Sequence, residues 1–378
     1  MIVLLLILVL IYHPALFWLM WGAMKWPNFR DNHESPKTGF TVLVPFRNEA
    51  QHLPQLLRSF EQLNYPWNLM EFLLIDDEST DDSVAIIRQF ERSLSATQGL
   101  RIRVLQNKRK SNSPKKDAIT IGVEAAAFDW IVCTDADCRV PPNWLRQYDQ
   151  CIQQKKPKMI CGPVVYPRGN RPLAAYQYLD GLSLQLVSRA GFGWKKPMLC
   201  NGANMGYQKA AFLEVKGYEG NNHIASGDDV FLLEKMRQSS PLQLAYLSHP
   251  EATVTTTSEA TWSGVIRQRI RWSSKTSRQS MVEPKVLGAI VFIANLCFLL
   301  AIALFLWNPD KWILFLWLMG MKAVADFVFL SLAAVTLGQR VPLLGYLFNV
   351  LIYPLVTVWV VLASFGGSYQ WKERRFAK

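Results

Sequence analysis

The sequence is short of charge, of histidine and of paired cysteine. Charged residues make up 19% of 378 positions, and only 29 of those are acidic, against a charged share of roughly 25% in ordinary soluble domains. The deficit is local. Met1 to Met24, Val286 to Trp307 and Leu343 to Gly367 contain no Lys, Arg, Asp or Glu. Each run is long enough to cross about 30 Å of hydrocarbon as a helix. A fourth, Trp312 to Leu337, is interrupted only by Lys322 and Asp326. The first run has no basic n-region and no small-x-small cleavage site before Lys25, so 1–24 reads as an anchor and not as a cleaved signal. No C-x-x-C joins the six cysteines (Cys133, Cys138, Cys151, Cys161, Cys200, Cys297), and the five histidines lack ligand spacing. Buried thiols are expected, with neither a disulfide framework nor a zinc site.

What is present is an average of two solvents. Half of the residues are hydrophobic, which excludes intrinsic disorder. A mean hydropathy of only +0.08 excludes a uniform membrane bundle. The net charge of +12 is not spread as in a nucleic-acid binder. Lys25 and Arg30 follow the first apolar run; Arg267, Arg269, Arg271, Lys275, Arg278 and Lys285 precede the second; Lys372, Arg374, Arg375 and Lys378 close the chain. That placement suits anionic headgroups and cytoplasmic retention, with no nucleic-acid partner.

Between 37 and 280 lies a polar block the size of one enzyme domain. Short apolar runs predict buried strands at 39–45 and 71–75, and further strands are read at 101–105 and 130–134, alternating with helical patterns at 48–61, 84–94 and 117–127. Such alternation means βαβ units and a parallel sheet, with ligands beyond the carboxyl ends of the strands. The polar clusters after Val44, Ile75 and Thr134 fall at that edge.

Five groups in this block can carry chemistry. Asp76, Asp77, Asp81 and Asp82 follow a strand; they suit either helix capping or hydrogen bonding to a nucleobase or ribose. Asp135-Ala-Asp137 leaves another strand, and two carboxylates so spaced can hold Mg²⁺ or Mn²⁺, although a lone D-x-D also arises by chance. Gly227-Asp-Asp229 reads as a helix N-terminus favoured by the dipole, or as a general base. Gln268-Arg-Ile-Arg-Trp272 by itself reads as a juxtamembrane basic helix, and Lys115 and Lys116 as surface charges or a phosphate clamp.

Taken in order, these pieces resemble the membrane-bound glycosyltransferases of family 2. The resemblance runs through Thr41-Val-Leu-Val-Pro-Phe-Arg-Asn-Glu49, Leu74-Ile-Asp-Asp-Glu-Ser-Thr-Asp-Asp82, Lys115-Lys-Asp-Ala-Ile-Thr-Ile-Gly122 and Asp135-Ala-Asp137. It continues through Gly202-Ala-Asn-Met-Gly206, Gly227-Asp-Asp229 and Gln268-Arg-Ile-Arg-Trp272. It implies an α/β, Rossmann-like GT-A catalytic domain at 37–280, set between the N-terminal transmembrane helix and about three transmembrane or interfacial helices at 286–367, with a basic tail at 368–378. It also implies a nucleotide-diphosphate sugar donor (most often a UDP-sugar), a divalent cation, and inversion at the anomeric carbon. By position, Pro45, Glu49, Asp76, Asp77, Lys115 and Asp135 would bind the donor, and Asp137 with Asp135 the metal. Asp229 would be the base, and Gln268, Arg271, Trp272 and Asp228 would meet the diphosphate and acceptor. Many relatives have Glu where this chain has Asp228, which leaves the role of that position open.

The expected activity is sugar transfer to the hydroxyl of a lipid or glycan acceptor at the membrane, with the catalytic domain cytoplasmic and the chain in the inner membrane. The alternative is a processive polysaccharide synthase. A non-catalytic scaffold would be expected to have lost an acidic motif, and none is broken. One conflict stands in the topology: four crossings with a cytoplasmic middle would put the basic tail outside, against the positive-inside tendency. Trp312 to Leu337 is the segment under suspicion, since Lys322 and Asp326 would lie near mid-bilayer. Spaced four apart they can pair on one helix face, either steadying the bundle or lining the acceptor's path.

Overall fold

The computed structural model describes residues 1–27, 34–95, 101–169, 171–224, 226–364, 368–371 and 374–377. Arg30, Lys372 and Lys378 lie outside them. The chain divides into two compact units. A globular unit takes Pro27–Val165 and Lys195–Thr257, and a helical unit takes Met1–Trp26, Tyr166–Trp194 and Ser258–Lys378.

In the globular unit all four predicted strands form: β1 (Phe40–Phe46), β2 (Met70–Asp76), β3 (Arg101–Gln106) and β4 (Trp130–Cys133). They pair in parallel in the order β3-β2-β1-β4. Beyond them come β5 (Cys138–Arg139), β6 (Met159–Cys161), β7 (Val164–Val165), β8 (Met205–Gln208), β9 (Leu244–Tyr246) and β10 (Val254–Thr256). The large sheet runs β3-β2-β1-β4-β8-β6-β9, with β8 antiparallel to both neighbours. β2 is buried along its whole length, as expected of a parallel strand covered on both faces.

Helix boundaries moved for local reasons. The first helix begins at Leu53 and not near Asn48. Residues 48–50 are spent on loop hydrogen bonds: the Asn48 N–H donates to Ser79 Oγ, Glu49 to Ser83 Oγ and Ala50 to Asp81 Oδ2. The third begins at Pro114 instead of Asp117, because Pro is pre-set for a helix's first turn.

Asn204 ties the middle of this unit together. Its Oδ1 accepts from Trp144 Nε1 and Tyr148 Oη at 2.9 Å each, and its Nδ2 donates to the carbonyls of Pro163 and Ala252 at 2.8 Å each.

Among the described residues of the helical unit, four helices are long and apolar enough to cross a membrane: Ile2–Lys25, Glu283–Trp307, Pro309–Thr336 and Leu343–Ser364. The chain is an integral membrane protein. Two further helices, Pro172–Gly193 and Trp262–Arg278, belong to the same unit. The first of these packs on the N-terminal helix where Gly22 meets Gly193; a Cβ on Gly193 would lie 1.8 Å from the Gly22 carbonyl oxygen. Only glycine permits that approach. Arg189 donates to the carbonyls of Ala23 and Trp26, both at 2.8 Å, at the end of the N-terminal helix, and so satisfies oxygens a helix terminus leaves open. The suspect pair is internal. Lys322 is buried and donates to Asp326 Oδ2 at 2.6 Å, while Asp326 Oδ1 accepts from Tyr12 Oη at 2.5 Å. Its arrangement is that of a bundle-steadying ion pair.

Candidate active site

The carboxyl ends of β1, β2 and β4 carry the predicted donor residues. Pro45 lies past Leu43, the last β1 residue paired with β4; its missing N–H therefore costs no bond on that side. Glu49 is in the loop after β1, its carboxylate 2.8 Å from His52 Nδ1. Asp76 ends β2, buried, accepting from the Ser79 N–H at 2.9 Å and from Gln106 Nε2 at 3.3 Å. Asp77 is gripped by Arg109 Nε and Asn107 Nδ2, each at 2.8 Å on Oδ1. Asp81 serves its loop: besides Ala50 it accepts from the Ser83 N–H.

After β4 the chain turns at once, the Cys138 N–H donating to the Asp135 carbonyl at 3.1 Å. The turn brings Asp135 and Asp137 off one strand end. Asp137 is pushed up to about 6 by burial and then by the nearby negative charges of Asp135 and Glu49. This is a surplus of negative charge that a cation would relieve. Among the described residues, no group of three or more His, Cys, Asp or Glu is placed to hold a metal ion. A Mg²⁺- or Mn²⁺-type ion fits that donor set, because it takes few carboxylates and fills its shell with phosphate oxygens and water.

Lys115 joins the two acidic motifs. Its Nζ lies 2.6 Å from Asp135 Oδ1 and 3.1 Å from Asp228 Oδ2. Burial alone would lower its pKa, but Asp135 and Asp228 hold it well above the ordinary value. Lys116, one residue on, turns the other way. It is buried, and its Nζ donates to the carbonyls of Asn221 and Ile224 at 2.7 and 2.9 Å, so it is neither surface charge nor phosphate clamp.

Asp228 and Asp229 open the helix Asp228–Ser239, and both are buried. Gly227 before them has φ +88°, and a Cβ there would also strike the Phe231 ring. Glycine is therefore required for the chain to enter this helix. Asp229 Oδ1 accepts from the Val230 N–H at 2.8 Å. Gly202 gives the cluster room, since a Cβ on it would lie 2.7 Å from Asp228 Oδ2. The globular unit thus brings together Glu49, Lys115, Asp135, Asp137, Asp228 and Asp229.

Gln268, Arg271 and Trp272 stand in the helical unit on Trp262–Arg278. Sequence reading singled out Arg271 and gave Arg269 no site role. The structure makes Arg269 the centre of a buried network. Its Nη2 is 2.5 Å from Asp180 Oδ2, its Nη1 donates to Gln268 Oε1 at 3.0 Å, and its guanidinium stacks 4.2 Å from the Trp272 ring centre. Gln268 Oε1 also accepts from Tyr166 Oη at 3.1 Å. The signal was available: position 269 falls in the inward stripe of Trp262, Val265, Ile266 and Ile270, which packs against Tyr176 and Val356. For Asp180 no comparable sequence signal exists.

Comparison with known proteins agrees with this architecture. Residues 41–215 match the family described as Glycosyl transferase family 2, and residues 130–369 match Glycosyl transferase family group 2. The glycosyltransferase AglE of Haloferax volcanii is 24% identical over 190 residues, 50% of this chain and 58% of that protein. The undecaprenyl-phosphate 4-deoxy-4-formamido-L-arabinose transferase of Pseudomonas savastanoi is 36% identical over 108 residues, 27% of this chain and 29% of that protein. The chain thus spans less than two thirds of either relative. In fold it is similar to the mannosyltransferase PcManGT of Pyrobaculum calidifontis, solved with GDP-Man and Mn²⁺, at a TM-score of 0.54 and 16% identity, covering 88% of this chain and 98% of that one. The chain belongs to glycosyltransferase family 2, with the GT-A fold and membrane helices at both ends.

Proposed function

We propose that the protein moves a hexose or N-acetylhexosamine from a nucleotide-diphosphate sugar, UDP-linked, to the hydroxyl of a lipid or lipid-linked acceptor at the membrane, with inversion. The observation that carries this is Lys115 held between Asp135 and Asp228, with Asp229 adjoining. One cation thereby links the donor side of the sheet edge to the start of the proposed base's helix.

Pro45, Glu49, Asp76 and Asp77 frame the nucleoside, Asp77 doing so with its carboxylate fixed by Arg109. Lys115 and Asp135 orient the diphosphate end. Asp137, with Asp135, would hold the divalent cation, which when bound neutralises charge on the diphosphate. Asp229 takes the proton from the acceptor hydroxyl as that oxygen attacks the anomeric carbon, and the carbon–diphosphate bond breaks on the opposite face. Lys115 stabilises the charge that develops on the leaving group. Gln268, Arg271, Trp272 and Asp228 are assigned to the diphosphate and acceptor on motif grounds. Since sugar nucleotides are made in the cytosol, the catalytic unit is assigned to the cytoplasmic side of the inner membrane.

The test is turnover by purified protein in lipid against UDP-, GDP- and dTDP-linked sugars with Mn²⁺, reading released nucleoside diphosphate and sugar recovered in extracted lipid. A UDP-sugar with radiolabel in the lipid phase is expected. Label in long water-soluble polymer would replace this reading with a processive synthase.

A further inference from the structure

We propose that Lys116 is a positioning residue for the transfer step. Its buried ammonium ties the loop that leads into Gly227-Asp228-Asp229 to the helix Pro114–Ala125. On the reading of Asp229 as the base, that tie sets the base against Lys115 and the donor side of the site.

Lys116 is only 1% exposed. An ammonium taken out of water is strongly unfavourable unless it is hydrogen-bonded. Its Nζ donates to the carbonyls of Asn221 at 2.7 Å and Ile224 at 2.9 Å, and Ile224 lies just ahead of Gly227 in the chain. Moving this loop away would strip the charge of both bonds while it is still buried. The cation therefore holds the loop in place.

The same ammonium reaches the far side of the two aspartates. It stands 4.9 Å from the centre of the Phe231 ring, a cation–π contact. Phe231 lies in the first turn of the helix Asp228–Ser239, its N–H donating to the Gly227 carbonyl at 3.1 Å. Its ring also closes over Gly227, where a Cβ would lie 2.6 Å from it. Lys116 thus meets the chain before Asp228 and Asp229 and again just after them.

Lys235 acts on the same loop from the other helix. Its Nζ donates to the carbonyls of Gly217 at 2.8 Å and Glu219 at 2.7 Å, so the early part of the loop is tied to the helix that carries the base. Lys116 ties the later part to the helix that carries Lys115. Successive helix residues point about 100° apart, which lets Lys115 reach the acidic cluster while Lys116 holds the loop beside it. The contribution is one of precision. A general base must come within hydrogen-bond reach of the hydroxyl it deprotonates, and a misplacement of about 1 Å can lower the rate about 10²-fold.

The experiment is a double-mutant cycle of Lys116→Met with Asp229→Asn in the full chain in lipid. It reads kcat and KM for the UDP-sugar donor and, separately, UDP affinity by calorimetry with Mn²⁺. Lys116→Met should lower kcat about 10–10²-fold, with KM and UDP affinity within a few-fold of native. In the Asp229→Asn background the same substitution should cost less than about threefold, because a base that is absent cannot be misplaced. A full additional loss in that background overturns the proposal, as does a native kcat or a change confined to KM. Native turnover by Asp229→Asn alone removes the base itself, a result read before Lys116 is altered. Where Lys116→Met does not fold, Lys116→Arg replaces it: the charge stays but its donors are displaced, the same coupling with Asp229→Asn is expected, and additive losses overturn the proposal.

Discussion

Lys115 and Asp228, 113 positions apart in sequence, meet with Nζ 3.1 Å from Oδ2, and the same ammonium is 2.6 Å from Asp135. Removing it with Lys115→Met leaves two partly buried carboxylates facing each other. Turnover should fall at least ~10²-fold, the scale of losing one charge-stabilising group. The melting temperature should also drop, because a half-buried pair left unpartnered costs more than its surface equivalent. Turnover near wild type would remove Lys115 from the leaving-group role.

Asp229→Asn keeps the size and the Val230 N–H contact but cannot accept a proton. Transfer to a hydroxyl should fall about 10²–10⁴-fold, while nucleotide affinity stays within a few-fold, measured by calorimetric titration of the nucleoside diphosphate with Mn²⁺. An acceptor phosphate is already ionised and needs no base. Substantial residual transfer to a polyprenyl phosphate in this variant would shift the acceptor from hydroxyl to phosphate.

Asp137→Asn removes one charge from the Asp137, Asp135 and Glu49 group. Without metal the variant should melt no lower than the native protein, since like charges are separated from a buried partner. With Mn²⁺ titrated in, the native protein should gain melting temperature and the variant should gain much less. Thermal unfolding in lipid followed against Mn²⁺ concentration reads both arms, and identical curves would contradict the metal assignment.

If Gln268 meets the diphosphate as proposed, the contact of Arg269 with it makes Arg269 a positioning residue whose effect should pass through Gln268. Arg269→Lys keeps the charge for Asp180 but loses the second arm of the fork. Arg269→Lys and Gln268→Ala should each lower kcat/KM about tenfold, and the double variant little further, giving a clear coupling in the cycle. Additive losses would reduce Arg269 to a helix-packing role. An unaffected Gln268→Ala would instead remove Gln268 itself from the site.

Asn204→Ala strips four side-chain hydrogen bonds from the core and strands the Trp144 and Tyr148 donors. The loss should reach roughly 3 kcal/mol or more, given 1–3 kcal/mol for each buried polar group left unsatisfied. Denaturant unfolding of the purified protein in detergent checks it.

β1, β2 and β4 were readable because a buried parallel strand needs a mostly apolar run, as in Val42–Val44, Phe72–Ile75 and Trp130–Cys133, while β3 at the sheet edge showed itself by arginines alternating with apolar residues. β8 was not, because Met205-Gly-Tyr-Gln208 carries no such run and owes its strand to pairing with β4 and β6. Asp76, Asp135 and Asp137 could be placed at the sheet edge directly from the ends of those runs. Arg109 on Asp77 and Asp180 on Arg269 could not, since the two members of each pair are tens of residues apart and nothing local to either one names the other.

The sequence by itself determined the solvent of each segment, the parallel start of the sheet and the carboxylates at its edge, because apolar run length and strand-end position are local properties. Tertiary structure alone decided which distant partner each charge met: Lys115 the acidic cluster and Lys116 backbone carbonyls, Arg269 the Asp180 carboxylate, and Asp326 the Tyr12 hydroxyl. Two neighbouring lysines are equivalent to the unfolded chain. What separates them is which buried oxygens the fold leaves in need of a cation, and that is settled by long-range packing.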